Sequence, residues 1–170
     1  DDTATGAGLG TSWGDALPHL QDALALADRC PDDAVSEIWV AQGTYYPDEG
    51  TYPVDGDRGA AFELKDALSI FGGFLGSETE LSQRDPGSYI TTLSGDIDQD
   101  DHTGANDLVM KPADILGANS YHVVVGSGTG SSARLDGFAV TAGQADGNVA
   151  VRRHGGGGLM AATGSPTLDH

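Results

Sequence analysis

The chain has 170 residues, and its 26 aspartates and glutamates against 8 lysines and arginines give a formal net charge of −18 at pH 7. A surface this acidic repels polyanions at long range, which argues against nucleic acid and anionic membrane surfaces as partners. No apolar run approaches the ~20 residues that cross a bilayer, so the sequence predicts no transmembrane segment.

The acid is almost entirely aspartate, with 21 aspartates against 5 glutamates, and glycine contributes 26 residues. Aspartate and glycine favour turns and cation-binding loops, whereas glutamate favours helix interiors. The composition therefore predicts many short strands joined by turns. Adaptation to high salt explains the acidity as well as a functional role does. The single cysteine, Cys30, excludes a disulfide scaffold within the chain.

Only one segment has the apolar periodicity of a helix. Leucines and an alanine recur at spacings of three and four between Ala16 and Asp28, which gives a single apolar stripe. Asp15 is the predicted N-cap, Pro18 falls in the first turn, and residues 30–33 end the helix.

The rest of the chain is predicted to form short strands separated by glycine-rich or aspartate-rich turns. Two long polar insertions, at about residues 48–58 and 96–119, interrupt the series. The predicted strands are residues 37–41, 43–47, 62–65, 68–74, 89–93, 121–125, 135–141 and 158–162.

Internal repetition favours a stacked architecture. The strand phrase that begins at Leu68 aligns with the phrase that begins at Leu135, and a looser copy begins at Gly158. Short strands with corner glycines at loose repeats of ~20–30 residues predict a parallel solenoid, in which each turn of the chain stacks on the last. An ordinary β-sandwich is the alternative.

The succession of phrases along the chain is informative in its own right. The phrases are Gly10-Thr-Ser-Trp-Gly-Asp-Ala16, Leu20-Gln-Asp-Ala-Leu24, Glu37-Ile-Trp-Val-Ala-Gln-Gly-Thr-Tyr45, Ile70-Phe-Gly-Gly-Phe74, Glu78-Thr-Glu-Leu-Ser-Gln-Arg-Asp85, Leu93-Ser-Gly-Asp-Ile-Asp98, Ser120-Tyr-His-Val-Val124, Leu135-Asp-Gly-Phe138, and Gly155-Gly-Gly-Gly158 followed by Gly164-Ser-Pro-Thr-Leu168. Together they resemble the opening of bacterial right-handed parallel β-helix proteins of the pectin-lyase-like superfold. The resemblance implies that fold and an exported, secreted or surface-anchored protein, and it implies no particular reaction.

We therefore expect an all-β fold, a right-handed parallel β-helix (solenoid) with an N-terminal capping α-helix, in one domain over residues 1–170. Residues 1–33 are the predicted capping segment and residues 34–170 the predicted rungs. No export signal precedes Asp1, so we expect that a leader has been removed. The last residues are predicted to lie within a strand, so we expect a longer parent protein. The predicted inward-facing stacks contain Ile38, Val40, Phe62, Leu64, Ile70, Val123, Val125, Phe138 and Val140.

Several short motifs match catalytic patterns without the context that the chemistry needs. Gly10-Thr-Ser-Trp-Gly14 matches a nucleophile elbow but lacks the buried strand that must precede the serine, and the five histidines have no zinc-binding spacing. Arg152-Arg153-His154 is the one basic cluster in the sequence. In polysaccharide lyases of similar fold an arginine on the groove serves as base beside calcium, and a solvent-facing loop is the alternative here. Tyr45, Tyr46 and Tyr52 either line a sugar-stacking surface or pack within the fold.

The strongest chemical signal lies between residues 96 and 107. Oxygen-bearing side chains at alternate positions, with a further acid at the twelfth, follow the one-three-five-twelve pattern of a calcium loop. Asp101 stands where that pattern has a turn glycine, the last acid replaces a bidentate glutamate, and no helices flank the loop. A solvated acidic loop without an ion is the alternative. We predict a structural calcium site formed by Asp96, Asp98, Asp100 and Asp107, with a backbone carbonyl from near His102.

The function expected from these features is that of an exported structural or surface-interaction module without catalytic activity, within a larger extracellular assembly. Its expected partners are other protein chains or cell-surface polysaccharide. The alternative is a carbohydrate-active enzyme, either a polysaccharide lyase or a glycoside hydrolase, or a carbohydrate-binding module of the same superfold. An enzyme of that kind needs convergent acids and a base on neighbouring rungs, and the sequence predicts no such arrangement.

Overall fold

The computed structural model of the chain describes residues 1–29, 35–148 and 154–169. Helical conformations occupy 14% of the described chain and strands 24%. The described part contains one α-helix, α1 (Leu20–Arg29), and four 3₁₀ turns, at Trp13–Asp15, Leu81–Gln83, Ala105–Asp107 and Pro112–Asp114. Its strands are β1 (Glu37–Ala41), β2 (Gly43–Tyr45), β3 (Phe62–Glu63), β4 (Ser69–Phe74), β5 (Thr91–Ser94), β6 (Val124–Val125), β7 (Arg134–Asp136), β8 (Phe138–Thr141), β9 (Leu159–Met160) and β10 (Thr167–Asp169).

The helix begins later than the sequence predicts. It starts at Leu20 rather than near Asp15, so the predicted N-cap is wrong. Pro18 is the physical reason, because a proline disfavours the helical conformation at the residue before it, here Leu17. The segment Trp13–Asp15 forms a separate 3₁₀ turn instead.

The strands form three sheets, and every pairing between them is parallel. The first sheet has the order β1-β4-β7-β10, the second β2-β5-β8 and the third β3-β6-β9. Strands that follow one another in the chain therefore lie in different sheets. Residues separated by long stretches of sequence become neighbours, as where Ile38 of β1 pairs with Ile70 of β4, which pairs with Leu135 of β7.

The predicted fold class, an all-β right-handed parallel β-helix, is wrong. The described residues have mixed α/β content, and their strands form several short parallel sheets without a solenoid or closed β-helix. The strands are only two to six residues long. Glycines end several of them: Gly137, with φ +83°, separates β7 from β8 where the sequence predicts one strand over residues 135–141. Long polar segments between β2 and β3 and between β5 and β6 also leave the strand conformation.

The core contains most of the residues predicted to face inward. Val40, Phe62, Leu64, Ile70 and Val123 are each at most 5% exposed. Ile38, Val125 and Phe138 are half-buried. The prediction that Val140 faces inward is wrong, because Val140 is 37% exposed on β8, an edge strand of its sheet. The leucines Leu20 and Leu24 of α1 complete this core.

The long segment between β5 and β6 is closed at its base. The amide of Ser120 donates to the carbonyl oxygen of Gly95 at 2.7 Å, and Asp96 and Asn119 form an isolated antiparallel bridge next to this contact. Residues 96–119 therefore leave and rejoin the sheets at one place, and we refer to them as the acidic loop. Across the three described ranges, no helix is both long enough and apolar enough to traverse a bilayer.

Candidate metal centre

Carboxylates converge within the acidic loop. The loop contains six aspartates and one lysine. One carboxylate oxygen from each of Asp96, Asp100 and Asp101 lies within 4.8 Å of the other two. Asp98 adjoins them, because a Cβ atom placed on Gly117 would clash with Oδ2 of Asp98 and with both carboxylate oxygens of Asp100. Four acids thus share one corner of the loop.

The turn that gathers these acids forms around the side chain of Asp96, which is 4% exposed. Its Oδ1 accepts a hydrogen bond from the amide of Asp100 at 3.1 Å, and its Oδ2 accepts one from the amide of Asp101, also at 3.1 Å. Gln99 adopts a φ of +55° to close the turn. A short polar side chain that binds amides four and five residues ahead replaces the backbone pairing that the segment lacks.

The returning half of the loop is tied to the same acids. Oδ2 of Asp98 accepts a hydrogen bond from the amide of Ala118 at 2.8 Å. Oδ1 of Asp101 accepts one from the amide of Leu116, and its Oδ2 accepts one from Nδ2 of Asn119 at 2.7 Å. The carboxylates are therefore positioned by backbone on both sides of the loop.

Asn119 holds a buried side-chain amide against the cluster. Its side chain is fully buried, and its Nδ2 donates both to Asp101 and to the carbonyl oxygen of Ala142, the latter at 2.8 Å. These two acceptors fix which end of the amide is nitrogen. The other end, Oδ1, has no hydrogen-bond partner, and a buried acceptor left without one costs about 1–3 kcal/mol. The side chain that carries this free oxygen is held against the carboxylate cluster by its own amide nitrogen.

The acids repel one another and lack cationic partners. Burial raises the pKa of Asp96, and the charges of Asp101 and Asp98 raise it further. The hydrogen bonds from the amides of Asp101 and Asp100 lower it, but the net shift is upward. Desolvation, followed by the neighbouring charge of Asp98, raises the pKa of Asp100. Two like charges about 4 Å apart near a protein surface repel by roughly 4 kcal/mol. No lysine or arginine within the described ranges forms an ion pair with any of the four acids.

Of the four predicted ligands, the structure brings Asp96, Asp98 and Asp100 together and places Asp107 elsewhere. Asp107 ends a 3₁₀ turn with a φ of +55°, and its Oδ2 accepts a hydrogen bond from Oγ1 of Thr44 at 2.7 Å. The amide of His102 donates to the carbonyl oxygen of Asp114 at 2.9 Å, and the backbone carbonyl ligand near His102 stays a prediction. The twelve-residue calcium pattern presupposes flanking helices, and this loop closes on its own returning segment instead, through the isolated bridge between Asp96 and Asn119.

Sequence reasoning missed two members of the cluster. The calcium-loop pattern has a turn glycine at the position of Asp101, so the pattern does not include Asp101 among the ligands although it adjoins Asp100 in the chain. Asn119 lies 18 residues beyond Asp101, so no local spacing rule relates the two. The one available signal for Asn119 was its position at the end of the polar insertion, directly before the strand phrase that begins at Ser120.

The other candidate residues do not form a site within the described chain. Arg152 and Arg153 lie outside the described residues, and His154 is exposed. Tyr45 is 3% exposed, and its hydroxyl donates to the carbonyl oxygen of Ala41 at 3.1 Å, so it belongs to the core. Tyr52 is 55% exposed beneath the guanidinium of Arg29. Of the two alternatives for the tyrosines, packing within the fold therefore holds for Tyr45, and Tyr45 and Tyr52 do not share one surface.

Comparison with known proteins identifies no relative: no protein-family model, no curated protein and no solved structure matches the chain.

Proposed function

We propose that the chain is an exported, non-enzymatic structural and interaction module whose acidic loop is stabilised by a bound calcium ion. The observation that carries the proposal is the convergence of four carboxylates, from Asp96, Asp98, Asp100 and Asp101, against the buried side-chain amide of Asn119. A divalent cation converts the repulsion among these carboxylates into attraction to one shared ion.

Calcium fits this donor set better than other common metals. The available atoms are oxygens, which hard cations prefer, and no cysteine or histidine belongs to the cluster of described residues. Calcium takes six to eight oxygens at about 2.3–2.6 Å, so ligands on opposite sides of the ion lie about 5 Å apart. The 4.8 Å limit on the separations of the three carboxylate oxygens is compatible with that spacing. Magnesium needs a tighter octahedron and retains several waters.

The ion's role in this proposal is structural, and weak affinity suffices for it at the proposed extracellular location. Sites with dissociation constants near 10⁻⁴–10⁻³ M are filled only where calcium is abundant, which is outside the cell. Binding to the folded state alone stabilises it by RT ln(1 + [Ca²⁺]/Kd), or about 1.4 kcal/mol when calcium is at ten times Kd. For a chain of this size that corresponds to a rise in Tm of about 3–6 °C.

The test is thermal unfolding by circular dichroism in about 10 mM calcium and in chelator, with isothermal titration calorimetry for the affinity. We expect the wild type to melt about 3–6 °C higher in calcium. Asp100→Asn should abolish most of that rise, because it removes a converging carboxylate that is exposed and not needed for the core.

Asp107→Asn is the matched control, since it removes the same charge from the same loop but outside the cluster. It should keep the full response to calcium. Equal losses in both variants would indicate general charge neutralisation rather than a site. An unchanged wild-type Tm would overturn the calcium proposal, and cleavage of an acidic polysaccharide by the purified chain would overturn the non-enzymatic part.

A further inference from the structure

A cleft of about 720 Å³ lies between the N-terminal segment, helix α1 and strand β1. One wall contains Leu17, Leu20 and Leu26, from α1 and the turn before it, and the opposite wall is β1. Leu26 is 40% exposed there. The volume falls in the range of about 300–1,000 Å³ that is typical of ligand-binding clefts.

The cleft follows the open edge of β1 rather than one face of it. Four successive residues of this strand, 37 to 40, all line the cleft. Side chains alternate between the two faces of a strand, so a run of consecutive lining residues means that the cleft borders the backbone edge. Within the described residues β1 pairs with β4 alone and is the first strand of its sheet. Its outward-pointing amides and carbonyls are therefore available for pairing.

Acidic side chains predominate around the cleft. Asp1, Glu37 and Glu78 line it, while no lysine or arginine of the described residues does. The α-ammonium group of Asp1 is bound to the carbonyl oxygen of Leu17, and the whole chain carries a net charge of −18. An apolar channel with an unpaired strand edge and an acidic rim is complementary to an extended segment that has apolar side chains and cationic flanks. A second copy of this acidic chain is disfavoured by the same charge.

We infer that this cleft binds an extended protein segment with lysine or arginine at its flanks, which adds to the first sheet as a strand parallel or antiparallel to β1. Backbone hydrogen bonds to β1 supply affinity, and apolar side chains that enter the cleft against Leu17 and Leu26 supply specificity. The inference deepens the interaction role proposed above and does not depend on the calcium site.

The two tryptophans of the chain, Trp13 and Trp39, both line the cleft and report on its occupancy. The experiment titrates the chain with a short synthetic peptide of alternating valine and threonine between terminal lysines, and follows tryptophan fluorescence in calcium and in chelator. Two matched peptides carry terminal glutamates, or a central proline that removes a ladder donor. We expect the lysine-flanked peptide to bind at least about tenfold more tightly than either.

Leu26→Asp tests the location, because this exposed leucine lies on the cleft wall, and Val54→Asp, at 70% exposure, is the control away from the cleft. Leu26→Asp should weaken binding at least about tenfold and Val54→Asp should leave it unchanged. Equal binding of all three peptides, no fluorescence change, or unchanged binding by Leu26→Asp would overturn the inference. So would concentration-dependent dimerisation that quenches the same tryptophans, since it would assign the edge to a second copy. If peptide binding fails while calcium still raises Tm, only the cleft inference fails.

Discussion

At the scale of single residues, Asp48 is a buried carboxylate with an unfavourable environment. It is 5% exposed, its Oδ2 accepts a hydrogen bond from the amide of Gly56 at 3.0 Å, and its Oδ1 has no partner. Burial raises the pKa of Asp48, the amide bonds lower it, and the charges of Asp55 and Asp57 raise it further, with a net upward shift. Ionised Asp48 therefore costs stability at neutral pH.

The sign of the pH dependence follows from that shift. A carboxylate with a raised pKa binds more protons in the folded than in the unfolded state, so stability falls as pH rises above the ordinary aspartate pKa of about 3.9. Asp48→Asn removes the charge and keeps an oxygen for Gly56. We expect it to raise Tm at pH 7 by about 2–4 °C, or about 1 kcal/mol, and to match the wild type near pH 4.

The measurement is a series of circular dichroism melts between pH 4 and pH 7 in chelator. Asp55→Asn, an exposed acid of the same segment, is the control and should shift stability by less than about 0.5 kcal/mol. A loss of stability in Asp48→Asn that is larger at pH 7 than at pH 4 would mean that the ionised carboxylate makes a stabilising contact instead.

At the scale of elements, an ionic network joins β7 to its neighbours. Asp136 of β7 is 1% exposed, and its two oxygens accept hydrogen bonds from Arg84 at 2.8 Å and from Arg134 at 2.7 Å. Arg134 also reaches Asp169 of the edge strand β10 at 2.9 Å. Both guanidiniums lie near the ring of Phe71. The network therefore favours one register between these strands.

Removing the buried acid should cost far more than removing the exposed one. Asp136→Asn removes the negative charge that Arg84 and Arg134 share and leaves only the exposed Asp169, bound to Arg134, to offset the two guanidiniums, so we expect a loss of about 2–3 kcal/mol. Asp169 is 49% exposed, so Asp169→Asn should cost less than about 1 kcal/mol. Urea unfolding followed by circular dichroism measures both values, and similar costs would show that the buried pairs contribute no more than surface ones.

The same elements show what the sequence can and cannot predict about the fold. Apolar alternation located most strands, but it aligned Leu68 with Leu135, whereas the structure pairs Ile70 with Leu135. A shift of two residues keeps every side chain on its predicted face, so the pattern cannot detect the error. Strand lengths and fold class depend on where glycines and long polar segments leave the sheet, which periodicity does not specify.

The candidate metal centre is likewise only partly predictable from the sequence. Three of its acids follow a local spacing of two residues, which sequence reasoning can recognise at Asp96, Asp98 and Asp100. Asn119 reaches the cluster only because the loop folds back on itself, and Asp107 leaves it because the chain takes positive φ values at Asn106 and Asp107. Contacts between the two halves of a loop require tertiary structure.

At the scale of the whole molecule, the net charge of −18 acts against compactness. Screening shortens the reach of this repulsion, from about 10 Å at 0.1 M salt to about 3 Å at 1 M. In chelator we therefore expect Tm to rise by about 3–8 °C between 0.1 M and 1 M sodium chloride, as the repulsion between surface acids weakens. Sucrose at matched osmolality is the control for solute exclusion. A Tm that responds equally to salt and sucrose would mean that charge repulsion is not the cause.

The contact between Gly95 and Ser120 has a consequence for how this chain tolerates change. The acidic loop departs and returns at one hydrogen-bonded base, and residues 106, 107 and 109 bind side chains of β5, β2 and β8. The part of the loop that follows these contacts can therefore change in length without altering the spacing between β5 and β6. Lengthening a loop adds only a slowly growing entropic cost, about 0.6 kcal/mol per doubling. Residues inserted or deleted near the exposed Lys111, which follows these contacts, would therefore leave strand register intact. At this position evolution, or an engineer grafting a peptide, can change the length of the chain.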